Sequence, residues 1–144
     1  THLVLNLNMG RILGIDYGSK RIGLAITDAS QIIASPFKTV TTHNLEFQIS
    51  ELSRIIEEED VSQIVIGLPL GLKGNYTTQT KKTEQFAALI RKEIDLPVSF
   101  YDERLTSVQA KRILQSEGKQ PSREKELVDE TAAAIMLQAF LDSR

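Results

Sequence analysis

Three acidic residues that are far apart in the chain lie beside apolar segments, where a carboxylate is costly to place. Asp16 follows the apolar run at 12–15, Glu103 follows the run at 98–101, and Asp129 precedes an almost wholly apolar helical segment. A carboxylate near a buried element destabilises the fold unless a positive group meets it. Divalent metal ions could supply that charge, and three such acids together would suit phosphodiester hydrolysis.

The chemistry open to these acids is narrow. Oxygen ligands without histidine or cysteine favour Mg²⁺ or Mn²⁺. Two such ions, about 4 Å apart, could activate a water for in-line attack on phosphorus. The chain has no cysteine, and its two histidines are spaced neither as metal ligands nor as a base beside a nucleophile. Three nearby basic residues could hold the substrate backbone, namely Lys20, Arg21 and Arg104.

Each of these residues also has an ordinary structural interpretation. Asp16 could cap the turn at Gly18, and Glu103 could be a solvated loop acid. Asp129 could be a helix N-terminal aspartate or the ion-pair partner of Arg104. The basic side chains could be surface charges. The catalytic interpretation therefore requires that all three acids meet.

Hydrophobic periodicity predicts the elements that would position them. Short strands are expected at 11–16, 22–28 and 32–34 as an antiparallel meander. After them the pattern predicts a helix behind Asn44, a strand at 64–66, a helix up to residue 94, a strand at 98–101, a helix from Thr106 to near Gly118, a polar linker at 119–126 and a last helix. This order predicts an α/β fold with a mixed five-stranded sheet, three antiparallel strands followed by parallel additions, flanked by helices.

The first strand and the last helix are expected to touch. Alternation places Gly14 and Asp16 on one strand face, and Gly14 leaves room for a helix. On the last helix, at about 100° per residue, Asp129 falls on the side of Ala133 and Met136 rather than on the polar side. Its carboxylate should therefore face the sheet, from a position in the first helical turn.

Composition fits one globular domain. The chain has 144 residues and 41% hydrophobic content, so we expect a single domain over residues 9–144 and treat residues 1–8 as a tag or disordered extension. The net charge of −2 does not favour non-specific coating of nucleic acid. No apolar run is long enough to cross a bilayer, so we expect a cytoplasmic protein without a membrane partner.

Four motifs in order give the chain a family resemblance. They are GIDYGSKRIGLA at 14–25, IGLP at 66–69, DERLTS at 102–107, and Asp129 followed by Ala132 and Ala133. The chain resembles the YqgF family, also called RuvX, a bacterial group related to Holliday-junction resolvases and provisionally described as pre-16S rRNA nucleases. The resemblance implies a ribonuclease H-like fold, with Asp16, Glu103 and Asp129 as catalytic metal ligands. Resolvases usually take their second acid from the fourth strand, where this chain has IGLP.

The resemblance also implies the substrate. It favours processing of the 5′ end of pre-16S rRNA in ribosome biogenesis, with ribosomal precursor particles as partners. Cutting of four-way DNA junctions is the alternative, and it would require a homodimer, whereas RNA trimming can be done by a monomer. The loop at 70–76 could contact a single strand through Lys73, Asn75 and Tyr76, or it could be only a connection.

Two further classes remain open. The segment at 16–19 also resembles the phosphate loop of actin-like ATPases and sugar kinases. Those proteins clamp nucleotide between two domains, and a single domain leaves half of that cleft missing, so ATP binding ranks behind nuclease activity. A non-catalytic ribosome-assembly factor that retains the fold is the other alternative.

Overall fold

The computed structural model describes residues 10–18, 20–41, 44–104, 106–120 and 124–144. The extension predicted at residues 1–8 lies outside these ranges. So do Ser19 and Leu105 of the quoted motifs and residues 121–123 of the predicted linker.

A mixed five-stranded sheet forms the centre of the fold, as the sequence predicts. The strands are β1 (Arg11–Tyr17), β2 (Ile22–Thr27), β3 (Ala34–Val40), β4 (Val61–Leu68) and β5 (Val98–Asp102), in the spatial order β3-β2-β1-β4-β5. The first three pair antiparallel, and β4 and β5 add in parallel beyond β1. Because β1, β4 and β5 run parallel, their carboxyl ends meet at one edge of the sheet.

Four helices occur in the described residues: α1 (Leu45–Glu58), α2 (Thr78–Glu93), α3 (Thr106–Ser116) and α4 (Lys125–Asp142). Asn44 caps α1 as expected, because its side-chain oxygen accepts a hydrogen bond from the Phe47 N–H at 3.0 Å. At the start of α2, Thr77 and Thr80 cap each other reciprocally.

The predicted third strand was misplaced. Ile32 and Ile33 are exposed and precede the strand, and their N–H groups donate to the Asp28 carboxylate, both at 2.8 Å. The strand itself runs from Ala34 to Val40 and includes Pro36. Proline is tolerated here because β3 is an edge strand and the β2–β3 register shifts between Leu24 and Ala25.

The last helix begins earlier than predicted. It starts at Lys125, so Asp129 lies in the second turn rather than the first, and Glu126 is the acid of the first turn. The expected linker at 119–126 concealed this start because its residues are polar. Asp129 therefore lies where the helix already packs against its neighbours, and not at a solvated end.

The helices cover both faces of the sheet. On one face, apolar residues of β1, β2 and β4 pack with α1 and α2. On the other face, α4 packs against Ile12, Ala25 and Val65, and α3 packs on the outer side of α4. A Cβ on Gly14 would lie 3.0 Å from the Leu137 Cβ, which confirms the predicted close approach. Because both of its sides are covered, α4 is apolar nearly all round.

Candidate active site

Asp16 lies at the carboxyl end of the central strand, on the face that α4 covers. Its backbone partner across β1 and β2 is Gly23, and β4 runs on its other side. Its side chain is half-buried. The first acid therefore points into the space between the sheet and the last helix.

Glu103 reaches Asp16 across an entire strand. Glu103 follows β5, and β4 lies between β5 and β1, so the two acids start about two strand spacings apart, roughly 10 Å. Their carboxyl groups nevertheless form a hydrogen bond. Gly67 of β4 makes this possible, because a Cβ at that position would lie 2.7 Å from the Glu103 carboxyl carbon. The missing side chain at Gly67 is the space that the second carboxyl group occupies.

The paired carboxyl groups hold protons unusually strongly. Burial raises the pKa of Glu103 to about 9, and the charge of Asp16 and its hydrogen bond with Asp16 add to the effect. Burial also raises the pKa of Asp16 to about 6, where the hydrogen bond with Glu103 acts to lower it and the charge of Asp129 acts to raise it. In the described residues, neither carboxyl group has an ion-pair partner. At neutral pH the two groups therefore share a proton.

Asp129 approaches the same site from the helix. Its backbone oxygen packs directly on Gly23, and a Cβ on that glycine would lie 2.9 Å from the Asp129 Cβ. Since Gly23 is the register partner of Asp16, the two aspartates are neighbours, and the pKa of Asp16 rises in response to the Asp129 charge. The three predicted acids are thus brought together.

The ion pair that the sequence analysis considered for Asp129 exists, but with a different arginine. The Arg21 Nε donates to the Asp129 Oδ2 at 2.6 Å. Arg104 instead pairs with Asp102, its Nη2 lying 2.7 Å from Oδ2. Asp102 also accepts a hydrogen bond from the Arg104 backbone N–H at 3.0 Å and one from its Nε at 2.8 Å.

The other predicted substrate-binding residues lie on exposed surface. Lys20 and Lys73 are exposed, and Asn75 is exposed in the loop before α2. The Arg104 Nη1 donates to the Leu72 carbonyl at 3.3 Å, which ties that loop to the residue after Glu103. Within the loop, the Gly71 N–H donates to the Asn75 carbonyl at 2.8 Å. The loop is thus positioned beside the acids.

Divalent cations fit the donor chemistry of this site only in part. Asp16 and Glu103 offer hard oxygen ligands, and neither forms an ion pair in the described residues. Asp129 is engaged by Arg21. Accordingly, the described part of the chain contains no group of three or more His, Cys, Asp or Glu side chains that is already arranged to bind a metal ion. Two carboxyl groups therefore fit a cation directly, and the third would have to exchange its partner.

Sequence reasoning missed the residues that shape the space. Gly67 and Gly23 were noted only within motifs, and the Arg21–Asp129 pair was not considered. The glycines could have been suspected, since a glycine inside a strand often marks close approach of another group. The group that approaches, however, comes from a distant part of the chain in both cases.

Comparison with known proteins identifies the family. The family model RuvX, described as Holliday junction resolvase, matches residues 10–143. The chain therefore belongs to the RuvX family. The family description and the names of its relatives are those of resolvases and nucleases, so the chain is a hydrolytic enzyme of the nuclease class.

Two RuvX relatives are similar over nearly the whole chain. A protein of Chloroflexus aggregans is 39% identical over 138 residues, which cover 96% of this chain and 97% of the relative. One of Maridesulfovibrio salexigens is 43% identical over 131 residues, covering 91% and 97%. Both carry the provisional name pre-16S rRNA nuclease.

Solved structures support the ribonuclease H-like fold. Thermus thermophilus RuvC in complex with a Holliday junction aligns with a TM-score of 0.59 at 17% identity, covering 93% of this chain and 95% of RuvC. A fowlpox virus resolvase with junction DNA aligns with a TM-score of 0.56 at 11% identity, covering 92% and 97%. In the described ranges of the RuvX chain, no helix has the length and apolar character that a bilayer crossing requires.

Proposed function

We propose that this RuvX protein is a Mg²⁺- or Mn²⁺-dependent endonuclease that processes the 5′ end of pre-16S rRNA during ribosome biogenesis. The observation that carries the proposal is the half-buried carboxyl pair of Asp16 and Glu103, set at the carboxyl ends of parallel strands with Asp129 beside it. The names of the relatives support the substrate. Work on ribosomal precursor particles implies a cytoplasmic location.

The residues take distinct roles in this proposal. Asp16, Glu103 and Asp129 would hold the cation, and a positive charge next to Asp16 and Glu103 would favour loss of the proton that they share. A bound divalent ion would activate the attacking water and stabilise the departing oxygen. The described site has no histidine or cysteine to serve as a nucleophile or base. The role of the carboxylates would therefore be to hold the cation in position.

Substrate contacts come from the rim of the site. Lys20 and Arg104 would bind the phosphate backbone on either side of the acids. Lys73 and Asn75 would contact the strand through the neighbouring loop. The Tyr76 ring, 63% exposed in that loop, offers a stacking surface for an unpaired base. These contacts suit a single strand, which favours RNA ends over duplex arms.

Four-way junction DNA is the second candidate substrate. The family description favours it, and RuvC and the fowlpox resolvase share the fold. Cutting both strands of a junction symmetrically needs paired active sites and hence a homodimer. A monomer in solution would favour the RNA substrate.

A direct assay separates the two substrates. The purified protein is incubated with Mn²⁺ and either a fragment spanning the 5′ end of pre-16S rRNA or a four-way DNA junction, and the product ends are sequenced. Cleavage of the rRNA fragment at one position, with the junction intact, is the expected outcome. Cleavage of the junction alone would refute the ribosomal assignment, and mature 16S ends in cells depleted of the protein would do so independently.

A further inference from the structure

Within the described residues, one of the three acids already has a cation from the chain itself. The Arg21–Asp129 contact of 2.6 Å joins side chains that are only 28% and 22% exposed. A partly shielded, charge-assisted hydrogen bond of this length is stronger than a solvated surface pair. Asp16 and Glu103 form no such pair in the described ranges. Of the three acids, therefore, Asp129 is the one whose charge is neutralised by an arginine of the described chain.

The backbone on both sides of this ion pair is fixed. The Gly18 N–H donates to the Arg21 carbonyl at 2.9 Å, which closes the turn between β1 and β2. The Asp129 backbone packs on Gly23 of the same strand pair. Because both attachment points are held, the part of the pair that is free to rearrange is the long side chain of Arg21.

We propose that Arg21 is an internal counter-cation that competes with the divalent metal ion for Asp129. The inference rests on the proposed metal-dependent function. Without metal, the guanidinium neutralises Asp129 and keeps that carboxylate out of a cage with Asp16 and Glu103. When a cation binds, it replaces Arg21 on Asp129, and the freed guanidinium can bind a phosphate of the substrate. Arginine suits both positions, since its planar fork matches carboxylate and phosphate alike.

Metal affinity without nucleic acid tests the competition. Binding of Mn²⁺ and of Mg²⁺ is measured by calorimetry for the wild type, Arg21→Gln and Arg11→Gln. Arg11 is a matched control because it also pairs with one acidic residue, Glu59, at 3.4 Å, at the opposite end of β1. Removing Arg21 should tighten metal binding about fivefold, the scale of one partly exposed ion pair, while Arg11→Gln should leave it unchanged.

Two further measurements show whether Arg21 acts through Asp129. In an Asp129→Asn background, adding Arg21→Gln should produce no additional change in metal affinity. The Arg21 side-chain N–H resonance, identified by its absence in Arg21→Gln, should shift towards that of a solvated arginine as Mg²⁺ is added. If Arg21→Gln melts below the assay temperature, Arg21→Lys takes its place, and its metal affinity should still exceed that of the wild type because the planar fork is lost.

The outcomes distinguish this inference from the function on which it rests. Equal metal affinities in the wild type and both Arg21 variants, or an Arg21 resonance unmoved at saturating Mg²⁺, would overturn the inference even if chelator abolishes cleavage. Absence of metal binding in the wild type and in every variant would refute both the inference and the metal-dependent function.

Discussion

The shared proton between Asp16 and Glu103 is the chemical centre of the molecule at the residue scale. Two half-buried carboxyl groups in contact cannot both ionise without a large electrostatic cost. Positive charge brought to the pair removes that cost, so metal binding and proton release are linked. The feature that strains the metal-free protein is therefore the feature that would give it metal affinity.

Replacing Asp16 by asparagine tests the role of its charge. Asp16→Asn keeps the size of the side chain and removes its charge, so cleavage should fall by at least about a hundredfold while the melting temperature stays close to that of the wild type. Gel assays of RNA cleavage and a thermal melt measure both. Asp95→Asn, an exposed change just before the amino end of β5, is the control and should keep full activity. Undiminished cleavage by Asp16→Asn would exclude it as a metal ligand.

Glu103 should make the metal-free protein less stable as the pH rises. Its pKa is about 9 in the fold against an ordinary value of 4.5, so between these values the folded state binds more protons than the unfolded state. The free energy of unfolding therefore falls with increasing pH across this window. Glu103→Gln removes this contribution, so the free energy of unfolding of the variant should fall less than that of the wild type between pH 5 and pH 8.

Urea unfolding in chelator at several pH values measures this difference. The pKa of Asp16 is raised to about 6, so its contribution to stability also falls as the pH rises, in a lower pH range. This loss is expected in both proteins. Added Mg²⁺ should flatten the wild-type pH dependence. Parallel curves for wild type and Glu103→Gln would show that the carboxyl group is not strained.

Neighbouring strands position the acids at the element scale. β1 supplies Asp16, the end of β5 supplies Glu103, and β4 between them contributes Gly67, which has no side chain to block the contact. Helix α4 then closes the site from above by packing on Gly23. The arrangement of the site therefore depends on the two glycines as much as on the acids.

A methyl group at Gly67 should therefore displace Glu103. In Gly67→Ala the new Cβ would lie 2.7 Å from the Glu103 carboxyl carbon, and the flexible glutamate can turn away. We expect cleavage to fall by about tenfold or more, with a stability change below about 1 kcal/mol, because the obstacle is the end of a mobile side chain.

Gly23→Ala is the informative comparison for Gly67→Ala. Its new Cβ would collide with the Asp129 backbone, which cannot turn away, so the variant should lose about 1–3 kcal/mol of stability. Chemical unfolding and RNA cleavage measured on both variants separate the two effects. Full activity in Gly67→Ala would show that Glu103 need not reach Asp16.

At the scale of the whole molecule, the net charge requires that nucleic acid be bound by a few local contacts. A net charge of −2 gives little general attraction to nucleic acid, so substrate must be held by the few basic groups around the acids and by the metal ions. The loop tied to Arg104 and the β1–β2 turn with Lys20 flank the site from two sides.

Removal of divalent ions should abolish activity of the entire enzyme. Cleavage should stop in excess chelator and return when Mg²⁺ or Mn²⁺ is restored, since the proposed mechanism activates water through the bound ion. Titration of purified protein with each ion, followed by RNA cleavage, measures this recovery. Cleavage that persists in chelator would point to another mechanism or to a contaminating nuclease, which the Asp16→Asn protein purified in parallel would reveal.

The sequence by itself determined the order of elements and the mixed sheet, and it predicted the three acids that the fold brings together. Alternation along β1 and the spacing around Asn44 are short-range patterns that depend on neighbouring residues, so they can be read directly. Side-chain hydrogen bonding made the third strand harder to place, because the Asp28 carboxylate accepts from the N–H groups of Ile32 and Ile33. The start of α4 was harder to place because its first residues are polar.

Only the tertiary structure decided which partner each acid meets. Glu103 reaches Asp16 because strand order places Gly67 between them, and Asp129 meets Arg21 rather than Arg104 because α4 packs on Gly23. Such contacts depend on strand register and on the packing of residues distant in the chain, which no local pattern specifies. Whether an acid is protonated, paired or open to a metal ion follows from those contacts.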